Sequence, residues 1–198
     1  IVRFDEYWSF YFAFLNKAAE VSSWLPEIFA LAAIKGYESL RVQASPALRE
    51  QFNTAKNLLE SFRRSELKTS DVFDVSMLAK LFAVTDIFGD DHNLELRNIK
   101  FYYNPITSKL EPVGYDQHLP LRLRVRPLVG DYRQMRGRTD KLIWLDHFYR
   151  DPAFYNAYLR ALHDLSTPSV FDSFAKKAAA DYDVAVGMLY REDPTHDV

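Results

Sequence analysis

Cysteine is absent from this chain, which excludes disulfides, zinc–thiolate sites, cysteine nucleophiles and thiol redox chemistry. Secreted, envelope and cytosolic proteins can all lack cysteine, so the absence assigns no compartment. Charge bias is missing as well: 25 Lys and Arg stand against 27 Asp and Glu, a formal net charge of −2. Non-specific binding to nucleic acid or to an anionic membrane usually needs a clear basic excess. Long apolar runs are also lacking. The longest, such as Ile28 to Ile34, fall well short of the roughly 20 residues a membrane-spanning helix needs. The chain opens on Ile1-Val2-Arg3-Phe4 with no initiator Met and no signal-peptide pattern. It therefore reads as internal to a longer protein, with any targeting signal or anchor outside it.

Hydrophobic residues make up 48% of the chain and aromatics 15%, the balance of a packed globule rather than a disordered segment. Its 198 residues suit one domain, or one lobe of a larger one. Aromatics crowd the first stretch: Phe4, Tyr7, Trp8, Phe10, Tyr11, Phe12, Phe14 and Trp24. Apolar positions fall on both faces of any helix drawn through Tyr7 to Lys17, so that helix is expected to be core or to dock on a partner.

Helix punctuation is clear further on. Pro26 suits the first turn of a short helix ending near Gly36. Ser45-Pro46 is an N-cap followed by proline at the first helical position. Leu48, Phe52, Ala55, Leu59 and Phe62 then recur at steps of three and four, one apolar stripe on an otherwise polar helix. A second helix starts at Asp74, turns Leu78, Leu81, Phe82 and Thr85 inward, and stops at Gly89. Ile99, Phe101 and Tyr103 alternate with Lys100, Tyr102 and Asn104, a strand rhythm. Asn104 to Ser108 has turn chemistry, and Leu110 to Tyr115 supplies the return. Residues 117–137 read as loop, and helix resumes from Thr139. Asp151-Pro152 and Thr167-Pro168 open the last helices, carrying Phe154, Tyr158, Leu159, Leu162 and Leu165, then Val170, Phe171, Phe174, Ala178, Tyr182 and Val186. The expected fold class is mainly α (α+β): a single helical lobe over 1–198 with one short β-hairpin near 98–116.

Polar groups gather at one place in this pattern. Gly89-Asp90-Asp91-His92-Asn93 ends an apolar helix, Asn98 opens the hairpin, and Gly114-Tyr115-Asp116-Gln117 closes it. A hairpin brings its ends together, so Asn98 and Asp116 are expected to be neighbours. A carboxylate beside an amide oxygen is the hard, oxygen-rich pair that magnesium–phosphate sites use. The order of acidic loop, Asn, hairpin and Asp also matches a kinase catalytic loop followed by its metal-binding Asp.

The runs Phe82-Ala83-Val84-Thr85-Asp86, Gly89-Asp90-Asp91-His92, Asn98 to Pro105 and Leu110 to Asp116, followed by Asp151-Pro152-Ala153-Phe154 with Tyr158 and Leu159, resemble the CotH kinase-like family. The likeness spans about residues 70 to 190. It implies the helical, C-terminal-lobe portion of an atypical kinase that uses Mg2+ and ATP to phosphorylate protein hydroxyls. By that resemblance Asp91, or its neighbour Asp90, is the catalytic acid. Asn98 and Asp116 hold the metal, and His92 joins them in binding the cofactor. The lysine that grips phosphate, its glutamate partner and any glycine-rich loop would lie upstream of Ile1, in an N-terminal lobe that this segment docks. The resemblance also implies a cell-envelope, secreted or spore-surface protein. The alternative it leaves is a catalytically inactive kinase-like binding or scaffold module.

Bland readings stand beside these. Asp90 to Asn93 also suits a helix-end loop that caps and turns. His92 suits either metal ligation or loop hydrogen bonding, and His118, His147, His163 and His196 share no ligand spacing. Arg122, Arg124, Arg126, Arg133, Arg136 and Arg138 read as the wet side of an edge strand, as a phosphate or acidic-partner site, or as a nucleic-acid contact.

Overall fold

The computed structural model describes residues 1–5, 26–89, 92–96, 98–116 and 143–192. Asp90, Asp91, the aromatic stretch Tyr7–Trp24, the loop 117–137 and its arginines lie outside the described residues.

The described residues form a mainly helical, α+β lobe with a small antiparallel sheet. Four strands make that sheet: β1 (Val2–Phe4), β2 (Ile34–Gly36), β3 (Lys100–Asn104) and β4 (Lys109–Val113), in the order β2-β1-β3-β4. The expected hairpin is β3–β4, paired from Lys100 opposite Val113 to Asn104 opposite Lys109. Its turn is held by Asn104, whose Oδ1 accepts from Ile106 N at 2.9 Å while its Nδ2 donates to Glu111 Oε1 at 2.6 Å. The hairpin does not stand alone, because β1 pairs Val2 with Phe101 and Arg3 with Lys100, and β2 pairs with β1 in turn.

The second strand corrects one expectation. The helix from Pro26, α1 (Pro26–Leu31), stops five residues before Gly36, and Ile34–Gly36 is strand. Ile34 is buried and Lys35 exposed, so three residues already alternate across a sheet face. A Cβ at Gly36 would lie 3.4 Å from the side chains of Phe52 and Val42, so a small residue suits this edge.

The remaining helices are α2 (Ser39–Ala44), α3 (Pro46–Arg63), α4 (Thr69–Val72), α5 (Val75–Phe88), α6 (Asp146–Tyr149), α7 (Pro152–Leu165) and α8 (Pro168–Glu192). Their predicted punctuation is in place. Ser45 Oγ accepts from Leu48 N, Asp74 Oδ1 from Met77 N, and Asp151 Oδ1 from Ala153 N. Gly89 ends α5 at φ 66°, left-handed backbone that glycine adopts without steric penalty. Arg63, in the last turn of α3 where a cation complements the helix dipole, also serves α1. Its Nη1 donates to the carbonyls of Phe29 and Ala32, at 2.9 and 2.6 Å, satisfying acceptors that α1 leaves open.

An aromatic cluster forms the core. Phe148 lies within ring contact of Phe62, Phe73, Phe82, Trp144 and Phe154. Ala55, Leu59 and Phe62 bury the stripe of α3, while Leu78, Phe82 and Thr85 bury the inner face of α5. On α7, Phe154 and Tyr158 are buried but Leu159 is exposed, which corrects its expected inward place. One residue on from Tyr158 is a turn of about 100° around the helix, off the buried face.

Two tethers fix the sheet against the helices and so position the hairpin ends. Asp74 N donates to Leu110 O at 2.9 Å, tying the start of α5 to β4. Lys109 Nζ donates to the carbonyls of Ser70 and Asp71, closing the end of α4.

Candidate functional site

The candidate site is built at the end of α5. After Gly89 the chain enters a short 3-10 turn, His92–Leu94, which drops Leu94 into the core. Asn93 is buried and paired with Thr85 of α5: its Nδ2 donates to Thr85 Oγ1 at 2.9 Å, and the hydroxyl returns a bond to Oδ1 at 3.2 Å. Asn93 therefore anchors the loop, a structural role.

From that anchor the loop braces itself. Glu95 N donates to His92 O, and Glu95 O accepts from both Asn98 N and Ile99 N. Asn98, 7% exposed, donates from Nδ2 to His92 O at 2.9 Å. That bond orients the amide and assigns Oδ1 as the atom able to ligate a cation. At the other end of the hairpin, Lys100 pairs with Val113 and the chain reaches Asp116, whose φ of 54° is left-handed. A non-glycine residue in that region is a local strain that tertiary contacts must hold. Here Asp116 Oδ2 lies 3.0 Å from His92 Nε2, while His92 Nδ1 lies 3.6 Å from Glu95 Oε1.

His92 is thus the joint of the cluster. Its main-chain carbonyl holds Asn98 and its ring holds Asp116, so the two hairpin ends expected to be neighbours are linked through one residue. Carboxylates only accept hydrogen bonds, so a neutral imidazole can serve Asp116 or Glu95 as donor, and a doubly protonated ring can serve both. Asp116 is about half exposed, whereas Glu95 is buried. Asp116 is therefore the member reachable from solvent.

Three participants carry no sequence signal of their own. Glu95 is buried beneath His92. Lys100, although charged, is only 5% exposed. Its Nζ donates to Asn98 O at 3.3 Å and lies 3.0 Å from the centroid of the Tyr115 ring. A buried ammonium is tolerated only with partners of this kind. Tyr115, next to Asp116, supplies the ring. Lys100 and Tyr115 thereby clasp the two hairpin ends from the far side of the loop.

Among the described residues no group of three or more His, Asp or Glu side chains is arranged to hold a metal ion. Asn98 Oδ1 and the Asp116 carboxylate are the oxygens at the two hairpin ends, the latter already paired with the His92 ring; Mg2+ takes oxygens of this kind and keeps several waters.

Comparison with protein-family models, with curated proteins and with solved structures finds no match to this chain. Among the described residues no helix is long and apolar enough to cross a membrane.

Proposed function

We propose that this chain is the C-terminal-lobe portion of an atypical, CotH-like protein kinase, and that its full-length parent transfers phosphoryl from ATP to protein hydroxyls. The observation that carries the reading is the joining of Asn98 and Asp116 through His92 at the end of α5, next in sequence to Asp90 and Asp91.

In this reading Asn98 Oδ1 and the Asp116 carboxylate would hold Mg2+, which when bound neutralises charge on the nucleotide phosphates. Asn98 is oriented for that by its bond to the His92 carbonyl, and Asp116 is steadied by the His92 ring. Asp91, with Asp90 as the other candidate, orients the acceptor hydroxyl and takes its proton as the oxygen attacks the γ-phosphorus. The bond to the bridging oxygen breaks and ADP departs. Groups that grip the phosphates belong to an N-terminal lobe of the parent, so the 198-residue chain by itself is expected to show no measurable ATP hydrolysis.

Radiolabelled ATP with the full-length parent tests the reading. Asp116→Ala is expected to abolish transfer, and Asp91→Asn to slow it strongly while sparing nucleotide binding. Undiminished transfer in the Asp116 variant would remove the metal assignment.

A second reading, a kinase-like scaffold module without catalysis, is favoured by one observation: the Asp116 carboxylate already has the His92 ring as partner. A wild-type parent that transfers no phosphate, and whose melting temperature Mg2+ and ATP leave unchanged, would select it.

A further inference from the structure

One pairing outside the candidate site is made by the fold alone. Ser65 follows the end of α3, and His147 lies on α6, 82 residues further along the chain. Ser65 Oγ stands 3.5 Å from His147 Nδ1 and accepts from Arg150 Nη1 at 3.4 Å. A guanidinium only donates, so the hydroxyl proton is left for the imidazole, the one acceptor that Ser65 Oγ meets among the described residues. Burial, then the charge of Arg150, holds the His147 pKa below its ordinary 6.5. At pH 7 the neutral ring therefore keeps a lone pair for that proton. The rings of Phe29 and Phe62, with centroids at 5.0 and 6.0 Å, hold the imidazole in place. The backbone is unusual too. Ser65 has a φ of 60°, left-handed, at the place after a helix that glycine fills with least penalty. Serine brings nothing to the helix end that glycine lacks, save a hydroxyl that the turn presents at the surface.

We infer that Ser65 is a nucleophilic serine that takes an acyl group from small esters or thioesters, with His147 as its base. A hydroxyl within reach of a neutral imidazole, itself held by its neighbours, is the arrangement that activates serine. Arg150 supplies the third part. Its guanidinium meets no carboxylate among the described residues, so its charge is available to the alkoxide that develops on Oγ. The charge of Asp146 favours the imidazolium that forms as the proton arrives. Ser65 Oγ attacks the acyl carbon while its proton passes to His147 Nδ1. The bond from that carbon to the leaving oxygen or sulfur then breaks. His147 returns the proton to the departing alcohol or thiol, and Ser65 is left as an ester. Ser65 and Arg150 are both exposed, so a small donor reaches the hydroxyl directly. This chemistry is separate from the phosphoryl transfer proposed above.

A fluorophosphonate probe and p-nitrophenyl acetate test this on the 198-residue chain. With the first, Oγ displaces fluoride from phosphorus; with the second, it displaces p-nitrophenolate from the acetyl carbon. Peptide mass mapping is expected to place both labels on Ser65, at rates at least about 100-fold those of N-acetylserine amide. Ser65→Gly suits the left-handed backbone, keeps the fold and should lose both labels. His147→Gln should slow labelling by about 100-fold, with circular dichroism checking the fold of this half-buried position. Arg150→Ala lies at an exposed position, leaves the core untouched and should slow labelling by about tenfold. Absence of label on Ser65, or a rate no faster than that of the free amino-acid amide, overturns the inference. Labelling of Arg150→Ala and folded His147→Gln at the parent rate would overturn the activation by these side chains.

Discussion

Helices α7 and α8 are consecutive, and both open on a polar residue followed by proline. Both also carry apolar residues at helical spacing, yet their fates differ. Phe154 and Tyr158 of α7 are buried against α5, the end of α6 and each other. Tyr158 also donates a hydrogen bond to Asp86 of α5, a buried carboxylate. Phe174 and Tyr182 of α8 stand in solvent at 60% and 58% exposure. Periodicity thus marks which face of a helix seeks cover, and leaves open whether the cover lies in the same lobe.

The sharpest way to break that contrast is a matched pair of truncations. Phe154→Ala opens a cavity among Phe82, Phe148 and Tyr149 and is expected to cost about 3–5 kcal/mol in urea denaturation. Phe174→Ala, at an exposed position, should change stability by less than about 0.5 kcal/mol. Equal costs would mean that α8 is held as firmly as α7.

Next in size is Tyr158→Phe, which keeps the ring and removes the bond to Asp86. A loss of about 1–3 kcal/mol is expected from denaturant midpoints, because a buried carboxylate forfeits a partner. A neutral result would place the anchoring of α7 in ring packing alone.

A smaller effect belongs to the cap that starts α7. Asp151 accepts from Ala153 N at 2.9 Å and from Ser70 N of α4 at 2.7 Å. Burial alone would raise its pKa, but the bonds from Ser70 and Ala153 outweigh that and hold it below the ordinary 3.8. A depressed carboxylate contributes stability that is fully present above its unfolded value and disappears as pH falls through the folded one. Asp151→Asn keeps an oxygen for one of these bonds but loses the charge and the second acceptor, so it is expected to cost about 1 kcal/mol at neutral pH, and the gap from the parent chain should close in acid, below about pH 3.8. A gap that persists unchanged down to pH 2 would show that the charge is not what Asp151 contributes.

The candidate site was partly legible for similar reasons. Turn chemistry at Asn104 and alternation from Ile99 announced the hairpin, and a hairpin must bring Asn98 near Asp116. Hence that neighbourhood could be read before any coordinates. Their joint, the ring and carbonyl of His92, could not be read, because a loop histidine can face either way until the loop closes. The burial of Lys100 could not be read either: Tyr115 folds back over it, and the Asn98 carbonyl accepts a hydrogen bond from its ammonium. Strands β1 and β2 also went unread, since three residues carry too little period to announce themselves; β1 adds to the edge of β3, and β2 to that of β1.

Local chemistry by itself determined where α3, α5 and α7 begin and where α5 ends, because a serine, aspartate or glycine acts on the backbone within one turn of itself. It also determined the mainly helical class and the hairpin. Tertiary structure alone decided that Glu95 and Lys100 are buried, that Leu159 faces water, that His92 holds both hairpin ends, and that α7 is covered while α8 is not. Those outcomes depend on which surfaces meet, and contacts between residues far apart along the chain leave no spacing that a sequence can display.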